Sequence, residues 1–245
     1  MRHVSKKNNG KEIRLFGHKW LTHERWGLIH PDKPHWYYDS ASVVKRACGG
    51  VDLKLRNSPA KVWSHEKRKF IDSKFAAGLI SCKSIMSYGR YTATITLPNG
   101  ANNWPAFWMW SWAGWPPEID IMEAYTNSWG NYFAWPSSWC PLRFKKIESN
   151  LHYNHGDPKS IGAQRHRIGQ LTTRKPIEFE LLWTPEIIIW KYNGRTVRTC
   201  ENPEILDELN KHPYMNVVIN NGARTDKAKE STMTVHDFEF KELEK

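Results

Sequence analysis

The stretch YGRYTATITLPNGANNWPAFWMWSWAGWPPEIDIMEAY, from Tyr88 to Tyr125, decides the fold. Residues 88–97, 104–112 and 118–125 are rich in β-branched and aromatic side chains, and Pro, Asn and Gly fall between these runs, so three consecutive strands are expected. The same texture continues on both sides, over 42–55 and 77–86, then over 149–153, 177–183, 187–192, 196–199, 215–220 and 233–240. Asn193-Gly194, between WKY and RTV, is the strongest hairpin signal, because a type I′ turn needs positive φ at both central residues. The polar stretch 55–74 reads as a loop. Only NPEILDELNKH, residues 202–212, reads as a helix. Asn202 can cap it, Pro203 suits its first position, and Ile205, Leu206 and Leu209 give one apolar face. One short helix among many strands excludes α/β and bundle classes. An antiparallel sandwich, jelly roll or barrel remains.

A chain of 245 residues fits one large domain, and with no internal repeat or Ser/Gly linker a single domain over 1–245 is expected. With 40% hydrophobic and 25% charged residues it is no disordered chain. No apolar run is long enough to cross a membrane as a helix, and the basic start lacks the apolar segment of a signal peptide. The formal charge of +11 draws nucleic acid, acidic polysaccharide or an anionic surface, or it is simply a solvated exterior. The four cysteines, Cys48, Cys82, Cys140 and Cys200, form no CxxC pair, so a zinc cluster is not expected and free thiols are. The 14 tryptophans supply flat apolar area suited to stacking.

Glu118, Asp120 and Glu123 sit inside an apolar strand signal. Alternation points Glu118 and Asp120 one way, with Ile119 and Ile121 toward a core. It would leave Glu123 on the wrong face. One extra residue, a β-bulge between Asp120 and Glu123, returns it to the acidic face. Glu118 and Glu123 are then about 13 Å apart at their α carbons, at ~3.3 Å per residue. Side chains leaning together would bring the carboxyls to about 5–5.5 Å, the separation that suits a nucleophile and an acid/base in retaining glycosidases. Asp120 between them helps keep the acid/base protonated. Trp108, Trp110 and Trp112 share a strand face, and with Trp104 and Trp115 they make a sugar-stacking surface beside the acids. Trp112 is expected to be one of the core tryptophans.

These motifs resemble glycoside hydrolase family 16. The resemblance rests on Tyr88-Gly89-Arg90-Tyr91, Leu97-Pro98-Asn99-Gly100, Trp104-Pro105-Ala106-Phe107-Trp108-Met109-Trp110 and Gly114-Trp115-Pro116-Pro117-Glu118-Ile119-Asp120-Ile121-Met122-Glu123. More loosely, Leu151-His152-Tyr153, residues 179–185, residues 215–220 and residues 235–240 match later strands of the family. The resemblance implies a β-jelly-roll sandwich with a concave substrate cleft, with Glu118 as nucleophile, Asp120 as assisting acid and Glu123 as acid/base. Trp115 would floor the subsite of the cleaved sugar, with Trp108 or Trp110 nearby. Arg90, His152 and Asn220 would be polar contacts in the cleft. No cofactor is required. Family members often carry a structural calcium near the last strand, for which Asp237 is the candidate ligand. His152, Tyr153, His155 and Asp157 mimic a metal cluster, but His152 is read as a substrate contact and His155 as exposed.

The bulged motif implies an endo-acting enzyme for a β-1,3-glucan, with algal galactans (agar, porphyran, carrageenan) as the alternative. Arg143, Lys145, Lys146, Arg165 and Arg167 would favour a sulfated galactan if they line the cleft ends. A lectin-like jelly roll would not need three close acids. A nucleic-acid binder would not place carboxylates beside its stacking tryptophans. The expected partner is therefore a polysaccharide, with neither nucleic acid nor membrane, and the expected state is a monomer.

Overall fold

The computed structural model describes residues 1–29, 33–125, 145–168 and 175–243. Two sheets pack face to face as a jelly-roll sandwich. The first contains Glu12–Leu15, His18–Leu21, the end of Lys69–Cys82, Met215–Ala223, Asn103–Ser111, Glu118–Glu123, Lys145–Tyr153 and Gln164–Ile168, in that order. The second contains Val43–Lys45, Val51–Ser64, Ser231–Glu242, Gly89–Thr96, Ile177–Trp183, Ile188–Tyr192 and Arg195–Cys200. These neighbours are antiparallel. Lys69–Cys82 serves both sheets, pairing first with Val51–Ser64 and then, from Gly78, with Met215–Ala223. Only glycine fits at that crossing. A Cβ on Gly78 would stand 2.6 Å from the Ser42 carbonyl oxygen and 2.8 Å from Leu53 Cα.

Alternation fills the space between the sheets. Tyr91, Ala93 and Ile95 meet Phe107, Met109, Ile119, Val217 and Ile219, all fully buried. Each large apolar side chain so buried stabilises the fold by about 1.5–3 kcal/mol. A second core lies on the far side of the first sheet. The chain near Leu28 and the strand Trp36–Tyr38 cover that face, burying Leu79, Trp110, Val218 and Ala223. Trp36–Tyr38 pairs in parallel with residues 75–77, and His35 Nε2 lies 2.8 Å from the Ala223 carbonyl.

Several expectations meet their structure here. Asn193 and Gly194 have φ of 48° and 74°, as the hairpin turn requires. The helix is Pro203–Asn210, with the Asn202 side chain accepting a hydrogen bond from the Glu204 amide at 3.0 Å. A single helical turn, Lys6–Asn9, is additional. The polar stretch 55–74 is not a loop but most of a long hairpin. Its buried residues Leu55, Ala60 and Val62 alternate with polar ones, and a register shift between Asn57 and Ala60 breaks the period. Cys82 and Cys200 are buried thiols and Cys48 is exposed, while Cys140 lies outside the described residues. Arg90 is not in the cleft. Its strand, Gly89–Thr96, belongs to the second sheet, and with Tyr91 turned into the core Arg90 faces outward, 3.9 Å from Glu180.

Candidate active site

The acidic strand carries the expected bulge. Glu118 lies opposite Trp110 and Asp120 opposite Trp108, and after a register shift Glu123 lies opposite Ala106. Ile119, Ile121 and Met122 are all fully buried. The core therefore takes two consecutive side chains at the bulge, which leaves the three acids together on the outer face. Two side chains of the second sheet hold the distorted backbone. Trp190 Nε1 donates to the Asp120 carbonyl at 3.1 Å, and the Tyr192 hydroxyl donates to the Ile121 carbonyl at 2.9 Å. Tyr192→Phe would remove this hydrogen bond from a buried carbonyl, at a cost of about 1–3 kcal/mol. At roughly 2–4 °C per kcal/mol the thermal midpoint should fall by several degrees. An unchanged midpoint would show that the hydroxyl does not hold the bulge.

Glu118, Asp120 and Glu123 open into a cleft of about 460 Å³ lined by Trp36, Tyr38, Trp104, Ala106, Trp108 and Asn220. Trp104 Nε1 and the Tyr125 hydroxyl both donate to Glu123 Oε1 at 2.8 Å, fixing its rotamer. Trp108 Nε1 donates to Asn220 Oδ1 at 2.8 Å. His152 Nε2 stands 3.7 Å from Glu118 Oε1 and 3.6 Å from Asp120 Oδ2. Burial pushes the Glu123 carboxyl up to about 8, the charge of Asp120 adds to this, and the Tyr125 and Trp104 hydrogen bonds oppose it. Burial, then the charges of Asp120 and Glu123, also raise Glu118 well above the usual carboxylate range. Crowded acids of this kind titrate as a set, which retains protons at a pH where isolated carboxylates have lost them.

Trp115 is 48% exposed and packs 5.8 Å from the His152 ring. Trp110 shares the strand face of Trp108, but it is only 6% exposed and does not line the cleft, because the N-terminal chain covers that end of the face. The guanidinium of Arg25 lies over the rings of Trp110 and Trp112, at 4.2 Å and 4.0 Å. Trp112 is 44% exposed, not core, since it follows the last residue of its strand. His155 is exposed, as expected. The sequence reading missed Trp36 and Tyr38, which wall the cleft, and Tyr125, which holds Glu123. The aromatic triplet Trp36-Tyr37-Tyr38 was the available signal. Arg165 pairs with Glu148 on the strand Gln164–Ile168, whereas Arg143 and the side chains of Lys145, Lys146 and Arg167 lie outside the described residues. Asp237, the candidate calcium ligand, lies on the last strand, Ser231–Glu242. Asp237 Oδ1 accepts from the Phe238 amide, and among the described residues no cluster of three acidic, His or Cys ligands includes Asp237.

Beneath Trp110, Glu24 is wholly buried near Ser81, with Oγ 3.5 Å from Oε2. Burial first, opposed by Arg25, pushes its carboxyl from an ordinary 4.5 up to about 8. The native state therefore holds a proton that the unfolded chain releases. Its stabilising effect is complete below about pH 4.5 and is lost as the pH climbs through 8. One such group contributes a slope of up to ~1.4 kcal/mol per pH unit in this window. Glu24→Gln should flatten the fall of the thermal midpoint between pH 5 and 8. An unchanged slope would show that Glu24 is not the group responsible.

Clustered acids on the open face of a jelly-roll sandwich, walled by indoles, define the class of β-sandwich glycosidases. The chain belongs to family 16 of the glycosyl hydrolases, whose sequence model matches residues 33–239. It is similar to a galactan endo-beta-1,3-galactanase of Flammulina velutipes, 35% identical over 126 residues, 48% of this chain and 49% of that one. It is also similar to a beta-glucanase of Rhodothermus marinus, 26% identical over 186 residues, 70% and 56% of the two chains. The chain spans between about a third and just over half the length of the curated relatives it matches. Among solved structures, the laminarinase catalytic domain of Thermotoga maritima superposes with a TM-score of 0.61 at 17% identity, covering 86% of this chain and 84% of that one. The kappa-carrageenase of Pseudoalteromonas carrageenovora gives 0.60 at 15%, covering 96% and 93%.

Proposed function

We propose that the protein is an endo-acting, retaining β-glycosidase working by double displacement on a neutral β-1,3-linked polysaccharide. The bulge that gathers Glu118, Asp120 and Glu123 on the indole-lined face carries this reading. Glu118 attacks the anomeric carbon while Glu123 gives its proton to the departing glycosidic oxygen. The bond to the leaving sugar breaks and a covalent glycosyl-enzyme forms. Glu123, now a carboxylate, takes a proton from water, which displaces Glu118 and frees the second product. The neighbouring Asp120 carboxylate raises the Glu123 carboxyl and so favours its proton before the first step. Trp104, Trp108 and Trp115 offer indole faces to sugar rings, and His152 and Asn220 offer polar contacts to hydroxyls.

A β-1,3-glucan such as laminarin is the first choice, since among the described residues the lining is largely aromatic and carries no charged side chain apart from the acids. A β-1,3-galactan is the second, favoured by the 35% identity to the fungal galactanase. Lys33 and Arg224 stand over the rings of Trp104 and Tyr125, at 5.2 Å and 5.3 Å, so salt sensitivity is informative. The test is reducing-sugar release from laminarin, β-1,3-galactan, agarose, porphyran and carrageenan at low and high salt, with early products followed by proton NMR. Laminarin or β-1,3-galactan should be cut at rates little affected by salt, with the β-anomer first. The α-anomer appearing first would overturn the mechanism. Release from sulfated galactans alone, falling steeply with salt, would overturn the neutral substrate. Polymer retention without cleavage would replace the hydrolase with a glycan-binding sandwich.

A further inference from the structure

We infer that Glu118, Asp120 and His152 form a binding site for a divalent transition-metal ion, with Zn²⁺ the best fit, and that an ion held there blocks the cleft. Glu118 Oε1, Asp120 Oδ2 and His152 Nε2 come from adjacent strands and converge, each offering one ligand atom within 4.8 Å of the others. One imidazole and two carboxylates with an open fourth position is a donor set that zinc accepts. Zinc bonds of about 2.0–2.2 Å in a tetrahedron set ligand atoms about 3.3–3.5 Å apart. The two histidine–carboxylate separations, 3.7 Å and 3.6 Å, are already within a few tenths of an ångström of that spacing.

A second observation points the same way. Asp120 is only 3% exposed, and its Oδ2, directed at His152 Nε2, has no hydrogen-bond partner among the described residues. A buried carboxylate oxygen without a donor is costly, and a cation removes that cost. Among the described residues, the ion would displace the Asn150 amide, whose Nδ2 lies 3.1 Å from His152 Nε2. Asn150 is itself tied to Ser160, whose Oγ donates to Oδ1 at 2.8 Å, so the strand around His152 stays in place. Magnesium and calcium, which prefer oxygen ligands in larger number, fit this set poorly. The bound ion would occupy the attacking oxygen of Glu118, so inhibition should be competitive with the glycan.

Calorimetric titration of the whole chain with ZnCl₂, without any glycan, tests the site independently of what the enzyme cleaves. One ion per chain is expected, with affinity at least about 10-fold weaker in both His152→Ala and Asp120→Asn and unchanged in His155→Ala. Thermal melts without metal check that the variants fold. On the unmodified chain, Co²⁺ in place of Zn²⁺ should give the strong visible bands of a four-coordinate ion. Absence of saturable binding, full affinity in His152→Ala, loss in His155→Ala, or a pale six-coordinate Co²⁺ spectrum would each overturn the site. Failure of glycan hydrolysis alongside normal zinc binding would count against the proposed activity and leave the metal site standing.

Discussion

Glu118→Gln is expected to abolish turnover while leaving the sandwich folded. General acid/base assistance alone is worth about 10²–10⁴-fold, and in the proposed double displacement loss of the attacking carboxylate removes the covalent intermediate altogether, so the fall should be at least that large. The fold should survive because Glu118 lies on the outer face, and its replacement removes one of two neighbouring carboxyls, Glu118 and Glu123, whose burial disfavours charge. A variant that keeps more than a tenth of wild-type activity, with an unchanged melt, would remove Glu118 from the nucleophile's role. Azide gives the complementary result in Glu118→Ala. It fills the vacated space, attacks from the face the carboxylate used, and should yield an α-glycosyl azide.

Glu123→Ala should separate the two halves of the reaction. On polysaccharide the loss should again be about 10²–10⁴-fold, since a sugar alkoxide leaves poorly without a proton. An aryl glycoside with an acidic phenol needs no such proton, so its first step should run at close to the wild-type rate. The glycosyl-enzyme should then accumulate, because no base activates water. Azide needs no base and should release it as a β-glycosyl azide, the opposite anomer from the Glu118 variant. If both variants gave the same azide anomer, the roles assigned to the two glutamates would be wrong. Trp104 and Tyr125, which donate to Glu123 Oε1, should affect this carboxyl and not Glu118.

The acids were legible because strand alternation is a strict rule and its one violation, Glu123, has a single economical repair. The structure makes that repair between Asp120 and Met122. Alternation also placed Trp108 and Trp110 on one face correctly, but it says nothing about what lies over that face. Trp110 is buried because the N-terminal chain covers its end of the strand, a contact set by tertiary packing alone. Arg90 shows the same limit. It is close to the acids in sequence and belongs to the opposite sheet. Trp36–Tyr38 escaped notice because a strand buried on both faces shows no alternation. The hairpin from Val51 to Cys82 was obscured by the polar face it turns to solvent.

The seam of the first sheet bears on the order in which the chain can be assembled. Asn103–Ser111 lies between Glu118–Glu123 on one side and Met215–Ala223 on the other. Trp108 meets Asn220 across 112 positions, and His35 meets Ala223 across 188. A nascent polypeptide that has made its acidic strand still lacks the partner that completes the cleft floor, and it presents an open, tryptophan-rich edge to its surroundings. Catalytic competence should therefore appear only once Met215–Ala223 has been made, and all at once. Release at residue 214 should give an insoluble product, not a weak enzyme.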